Sequence, residues 1–130
     1  METILLVEDS KFLRIATERA LSKSGYTVIS AGDGEEALLL AGKNVPDLVL
    51  LDMLLPKLSG PEVLKALKAN SVTAHIPVVV LSSLSSKNEE KLMADGAAAF
   101  LEKGPLLENP SLLLNAIKKV LGLKAAAARK

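Results

Sequence analysis

Asp52 closes a short apolar run, Asp47-Leu48-Val49-Leu50-Leu51-Asp52. The acidic pair Glu8-Asp9 closes a second, Thr3-Ile4-Leu5-Leu6-Val7. Unbroken apolar runs of this length read as buried strands. Two buried strands that both finish on acids would bring carboxylates to one place. Converging carboxylates repel each other, so such a site needs a cation to hold it together. That points to chemistry rather than to packing.

The elements that must position these acids alternate along the chain, without internal repeats. Strand 1 is expected over Thr3–Glu8. Helix 1 follows from about Ser10, with Phe12, Ile15, Ala16, Arg19 and Ala20 at helical spacing, and Gly25 ends it. Strand 2 covers Tyr26–Ala31. Asp33 is a candidate cap for a helix over Glu35–Gly42, and Pro46 leads into strand 3, Asp47–Leu51. Gly60-Pro61 opens a helix whose apolar stripe is Val63, Leu64 and Leu67. Pro77 opens strand 4, Val78–Leu81. Ser85 or Ser86 would cap a fourth helix carrying Leu92 and Met93 and stopping near Asp95-Gly96. A fifth, alanine-rich strand spans Ala97–Leu101. Asn109-Pro110 starts a last helix, Ser111–Leu121, closed by Gly122.

Five strand–helix units with short connections predict a single α/β domain. Its parallel sheet is doubly wound, with helices on both faces. In such sheets ligands sit at the carboxyl ends of the strands, at a topological switch point. Asp9, Asp52, Ser82 and Lys103 all fall just past strand ends, so four polar residues from four strands would share one rim.

Composition narrows the function classes. The 130 residues suit one domain with a sizeable core. Sixteen basic and fifteen acidic residues leave a net charge of +1, against a nucleic-acid surface. Phe12, Phe100 and Tyr26 are too few aromatics for a base-stacking platform. No apolar run approaches the ~18 residues that cross a bilayer, and Met1-Glu2-Thr3 lacks the basic start of a signal peptide. There is no cysteine, which excludes disulfides and thiolate chemistry and fits a reducing, cytoplasmic setting. His75, the single histidine, reads as a loop residue and cannot build a His-rich zinc site.

The rim residues sit in short segments that together resemble a response-regulator receiver domain. These are Val7-Glu8-Asp9-Ser10, Leu51-Asp52-Met53-Leu54-Leu55-Pro56 with Gly60, Leu81-Ser82-Ser83, and Phe100-Leu101-Glu102-Lys103. The resemblance runs from Glu2 to about Leu121. It implies a flavodoxin-like sheet of strand order 2-1-3-4-5 and a two-component phosphorelay. In it, a histidine kinase or histidine phosphotransfer protein passes a phosphoryl group to one aspartate, and a protein-binding face responds. Residue by residue, it makes Asp52 the phosphoacceptor. Glu8, Asp9, Asp52 and the Leu54 backbone carbonyl become the Mg²⁺ ligands, and Ser82 and Lys103 the groups that hold the phosphoryl oxygens. Ser82 and Phe100 become the switch pair, and Leu54 and Leu84 the residues that tune hydrolysis. The chemistry of each residue agrees. A carboxylate can attack phosphorus to form an acyl phosphate, Mg²⁺ takes oxygen ligands, and phosphoryl transfer depends mainly on neutralised charge.

Singly, Ser82 reads as the start of a serine-rich turn and Lys103 as a solvated lysine. Jointly, on one rim, the functional reading leads. The domain is expected over residues 1–122, with 123–130 an alanine-rich basic tail. Its reader is a downstream protein, and the chain is a monomer or a phosphorylation-dependent dimer. Two departures stand out: Gly104 separates Lys103 from Pro105, and the apolar Leu54 and Leu84 cannot orient a hydrolytic water. A chain of this kind catalyses only its own phosphorylation and slow dephosphorylation. The rivals are an aspartyl phosphatase, which would want an acid where Leu54 stands, and a phosphate-independent interaction module.

Overall fold

Each apolar run read as a strand becomes one, and the expected caps Ser10, Asp33 and Asn109 each open a helix. The computed structural model describes residues 2–82 and 89–128. Strands β1 (Thr3–Val7), β2 (Thr27–Ala31), β3 (Leu48–Asp52), β4 (Val78–Ser82) and β5 (Ala99–Glu102) form one sheet of order β2-β1-β3-β4-β5. Every neighbouring pair is parallel. The helices are α1 (Lys11–Lys23), α2 (Gly34–Asn44), α3 (Gly60–Ala69), α4 (Glu89–Ala94), α5 (Lys103–Glu108) and α6 (Ser111–Ala128).

The alternation of side chains along each strand divides the core in two. Leu5, Val7, Val49, Leu51, Val78 and Val80 face α2, α3 and α4, where Ala37, Ala41, Val63, Leu64, Leu67 and Leu92 meet them. Ile4, Leu6, Leu48, Leu50, Val79 and Leu81 face the other side, against Leu21 of α1 and Leu113, Ile117, Val120 and Leu121 of α6. Burial on both faces explains why the central strands are apolar throughout rather than alternating.

Local chemistry sets the helix starts. Ser10 accepts from the Leu13 amide at 3.3 Å, and Asp33 from the Glu36 amide at 2.8 Å. Ser59 and Glu62 form a reciprocal capping box ahead of α3. Asn109 accepts from the Ser111 amide at 3.3 Å, as its place before Pro110 suggests.

Several expectations shift. The stripe read through Phe12, Ile15, Ala16 and Arg19 is the outer face of α1: Phe12 is 79% exposed and Ile15 41%. Of the expected stripe Ala20 does lie on the inward side, where it is joined by Leu13 and Thr17, with Leu21 fully buried. Helix α2 runs past Gly42 to Asn44, stopped by Val45 in the left-handed region, at φ 43°. The fifth strand starts two residues later than expected and ends one residue later, and Lys103 opens a short helix, α5, that the sequence did not suggest. Glycine and proline fall in its first turn, where they are tolerated. The last helix passes through Gly122 to Ala128, because four consecutive alanines favour helix enough to offset one interior glycine. Ser83, Leu84, Ser85 and Ser86 lie outside the described residues.

Candidate functional site: a carboxylate cluster with a bridging lysine

The register of four neighbouring strands, β1, β3, β4 and β5, builds the site. Val7 pairs with Leu51 across β1 and β3, so Glu8 and Asp52 emerge side by side. Asp52 pairs with Leu81, which places Ser82 one step beyond on β4. Ser82 pairs with Glu102, so Lys103 follows directly after the end of β5, at the start of α5. One carboxylate oxygen from each of Glu8, Asp9 and Asp52 lies within 4.8 Å of the other two. Glu8 and Asp52 are buried at 4% and 3% exposure, while Asp9 is open to solvent. Three carboxylates this close suit a hard divalent cation that takes oxygen ligands and keeps some of its waters.

Lys103 bridges the two buried acids. Its Nζ lies 2.6 Å from Glu8 Oε1 and 2.9 Å from Asp52 Oδ2. The cluster therefore carries a cation of its own. Burial pushes the Glu8 carboxyl above its ordinary pKa, the Lys103 bond pulls it back, and the Asp52 charge raises it again. Burial alone would lower the Lys103 pKa, but its bonds to Glu8 and Asp52 outweigh that and hold it above the usual lysine value. The Lys103 trend matches an ion pair; the Glu8 trend runs against it. Both follow from one geometry, since a single ammonium is divided between two carboxylates and cannot fully offset the desolvation of Glu8.

Backbone contacts hold the acids in place. The Ser10 amide donates to Glu8 Oε2 at 3.2 Å, and the Leu54 amide to Asp52 Oδ1 at 3.3 Å. The Met53 amide bonds the Leu81 carbonyl at 3.1 Å, carrying the strand pairing one residue past Asp52. Gly60 seals the loop beyond. Its amide donates to the Met53 carbonyl at 3.1 Å, and a Cβ on it would lie 2.5 Å from Met53 Cα and 2.6 Å from the Asp52 carbonyl oxygen. Only glycine permits that approach.

Glu8, Asp9, Asp52 and Lys103 are thus brought together as their strand ends suggested. Ser82 is buried at 4% exposure on the adjoining strand. Phe100, partly buried, packs on the core beneath α4 and lines a pocket shared with Ser82. The Leu54 side chain points outward, 58% exposed. Leu84 lies outside the described residues, and there is no cis peptide bond among those described. Sequence reasoning missed Arg14, whose guanidinium donates to the Glu8 carbonyl at 2.9 Å and ties α1 to the acidic loop. Its signal was its place on the inward side of α1, which the misread stripe concealed. Beside the cluster, an apolar groove of about 160 Å³ runs between α1 and α6 from Glu8 and Lys103 past Leu13, Leu106 and Leu113. Among the described residues no helix is long and apolar enough to cross a membrane.

Comparison with known proteins agrees with this fold. Residues 4–118 match the family model of the response regulator receiver domain. The chain is 46% identical over 105 residues to a gliding motility regulatory protein of Myxococcus xanthus, a match covering 79% of this chain but only 13% of that protein. It is 36% identical over 103 residues to the polar-differentiation response regulator DivK of Brucella anthropi, covering 78% of this chain and 84% of DivK. Among solved structures, chemotaxis protein CheY4 of Vibrio cholerae aligns with a TM-score of 0.84 at 32% identity, over 92% of this chain and 98% of CheY4. A CheY-like receiver domain protein from Methanospirillum hungatei aligns with a TM-score of 0.87 at 26% identity, over 98% of each chain.

Proposed function

Because this chain belongs to the response regulator receiver family of two-component signalling, we propose that Asp52 accepts a phosphoryl group from a histidine kinase or histidine phosphotransfer protein. One observation carries the reading: Glu8, Asp9 and Asp52 lie within 4.8 Å of one another, and Lys103 touches two of them. A packing role does not account for two buried acids on a shared ammonium beside a third acid in solvent.

In the proposed transfer, an Asp52 oxygen attacks phosphorus as the phosphorus–nitrogen bond of the donor histidine breaks. The electron pair leaves with the imidazole, which takes up a proton. Lys103 follows the charge from the carboxylate to the phosphoryl oxygens without changing protonation state, since its pKa is held high. Ser82 offers its hydroxyl to another of those oxygens. Glu8, Asp9, Asp52 and the Leu54 carbonyl would hold Mg²⁺, which when bound neutralises charge on the moving group. The groove between α1 and α6 gives a donor protein an apolar approach to the cluster. Phe100 beneath Ser82 is the residue through which the change would pass to a partner-binding face.

Incubation with acetyl phosphate and Mg²⁺ tests the reading. The intact mass should rise by one phosphoryl group in the wild type and not in Asp52→Asn. Steady release of phosphate from an ester would instead favour the phosphatase, and no label at all the interaction module. The exposed, apolar Leu54 side chain orients no water, so the acyl phosphate should persist for minutes or longer. Leu54→Asn should shorten that lifetime several-fold. A wild-type half-life of seconds overturns the assignment of Leu54.

A further inference from the structure

Residues 53–59 join β3 to α3 and include Leu54, whose carbonyl is a proposed metal ligand. The base of this loop is closed where the Gly60 amide donates to the Met53 carbonyl. At its tip the Pro56 carbonyl accepts from the Leu58 amide at 2.8 Å and from the amide of Gly34, the first residue of α2, at 3.5 Å. A bond from Leu58 back to Pro56 closes a γ-turn centred on Lys57. Lys57 accordingly has φ 69°, a strained value for a residue with a side chain.

A strained turn persists only where its surroundings hold it. Here they are the start of α2, a helix that contributes no residue to the acid cluster. Asp33, the cap of α2, places Oδ2 3.6 Å from Lys57 Nζ, but that lysine side chain is 57% exposed and the pair contributes little. The long Gly34 amide bond is also weak. The close approach of Gly34 itself constrains the loop most. A Cβ on it would lie 2.6 Å from both the Cβ and the carbonyl oxygen of Leu58, and 2.9 Å from Val63 Cγ2. A Cβ and a backbone carbonyl cannot swing aside as the end of a side chain would, so only glycine lets α2 meet the turn. Leu58 in turn packs on the core that α2 and α3 share.

We propose that Gly34 is a positioning residue for the cation of the acid cluster: by clamping the tip of the β3–α3 loop, it limits where the Leu54 carbonyl can sit. The proposal rests on the metal reading given under the proposed function and deepens it. With the base tied at Gly60 and the tip at Gly34, the arm between them has little freedom. The Leu54 amide, which donates to Asp52 Oδ1 at 3.3 Å, couples that arm to the carboxylate. A ligand group already held in place loses less freedom when the ion arrives, so the clamp acts on affinity.

The test compares the full wild-type chain with Gly34→Ala, Lys57→Val and Lys57→Asn. Gly34→Ala forces the loop tip off α2. Lys57→Val opposes the left-handed turn, which a β-branched residue resists and asparagine accepts, while both Lys57 variants remove the same ammonium. Mg²⁺ affinity is measured by calorimetry at a temperature where every form is folded, so a change in stability alone leaves it unmoved. Hydrogen exchange of the Leu54 and Leu58 amides is followed in EDTA, without metal. Gly34→Ala and Lys57→Val should each weaken Mg²⁺ binding several-fold and speed both exchanges, and Lys57→Asn should do neither. Wild-type affinity in Gly34→Ala, or equal affinity in Lys57→Val and Lys57→Asn, overturns the proposal and leaves the metal site standing. A wild type that takes no Mg²⁺ overturns the metal site and the proposal together. If Gly34→Ala does not fold, the two Lys57 variants decide alone.

Discussion

At the scale of the residue, the informative contact is the division of Lys103 between Glu8 and Asp52. In metal-free solution the ammonium offsets repulsion between the two buried acids, while Asp9 adds a third negative charge that no ion pair among the described residues offsets. Asp9→Asn should therefore raise the melting temperature in EDTA by about 1–3 °C, the scale of a solvent-screened charge contact. Asp52→Asn removes repulsion too, but it also loses the 2.9 Å contact with Lys103, so it should gain less. A fall in melting temperature for Asp9→Asn would show that the acids do not repel one another in the folded chain. Glu8 adds a pH dependence of definite sign. Its folded pKa lies above its ordinary value, so the folded state holds the Glu8 proton more tightly than the unfolded state. That stabilisation is complete below about pH 4.5 and is lost as pH rises through the folded value. The unfolding free energy of the wild type minus that of Glu8→Gln, measured in EDTA, should decrease from pH 4 toward pH 7. A difference that grows with pH would mean that Lys103 outweighs burial at Glu8.

At the scale of the element, the strand ends set the site and the turns beyond them hold it. The apolar runs over Thr3–Glu8, Asp47–Leu51 and Val78–Leu81 were legible to within a residue at their ends, and with them the rim that gathers Glu8, Asp52 and Ser82, whereas the fifth run, read over Ala97–Leu101, lies at Ala99–Glu102 with Lys103 just beyond it. The register that sets Asp52 opposite Leu81 was not legible, because it depends on pairing between segments far apart in the chain. The face of α1 was misread for a related reason. Phe12 and Ile15 are apolar at helical spacing, yet tertiary packing turned Leu13, Thr17 and Leu21 inward instead. Arg14 was hidden with that face, and α5 by the glycine and proline that open it. Gly60 links these elements to the chemistry. With a built Cβ only 2.5 Å from Met53 Cα, Gly60→Ala must displace the backbone that follows Asp52. It should cost about 1–3 kcal/mol of stability and weaken Mg²⁺ binding several-fold. Gly42→Ala is the control: it lies inside α2 with no atom within 4 Å of the added carbon, and should stabilise by roughly 0.5–1 kcal/mol. Equal behaviour of the two variants would remove Gly60 from the site's framework.

At the scale of the whole molecule, the site joins elements that pack into two separate cores. Glu8 follows β1, Asp52 ends β3 and Lys103 opens α5 beyond β5, so these residues span four of the five parallel strands in the sheet. Unfolding scatters them, and an unfolded chain offers no preformed cluster for a divalent cation. A ligand that binds only the folded state stabilises it by mass action, by about 2.7 kcal/mol at a free concentration one hundred times its dissociation constant. For a domain of this size that corresponds to roughly 10 °C in melting temperature. The melting temperature of the wild type should therefore climb with the logarithm of Mg²⁺ concentration once the site begins to fill. Asp9→Asn should flatten that climb even though it melts higher in EDTA, because the carboxylate whose loss relieves repulsion is also a proposed ligand. Such crossing lines, with the variant more stable without metal and less stable with it, distinguish a metal site from general ionic screening. Potassium chloride at matched ionic strength should relieve the repulsion slightly and give no crossing. If Mg²⁺ shifts wild type and Asp9→Asn in parallel, the three carboxylates are close neighbours on a strand rim and not a metal centre.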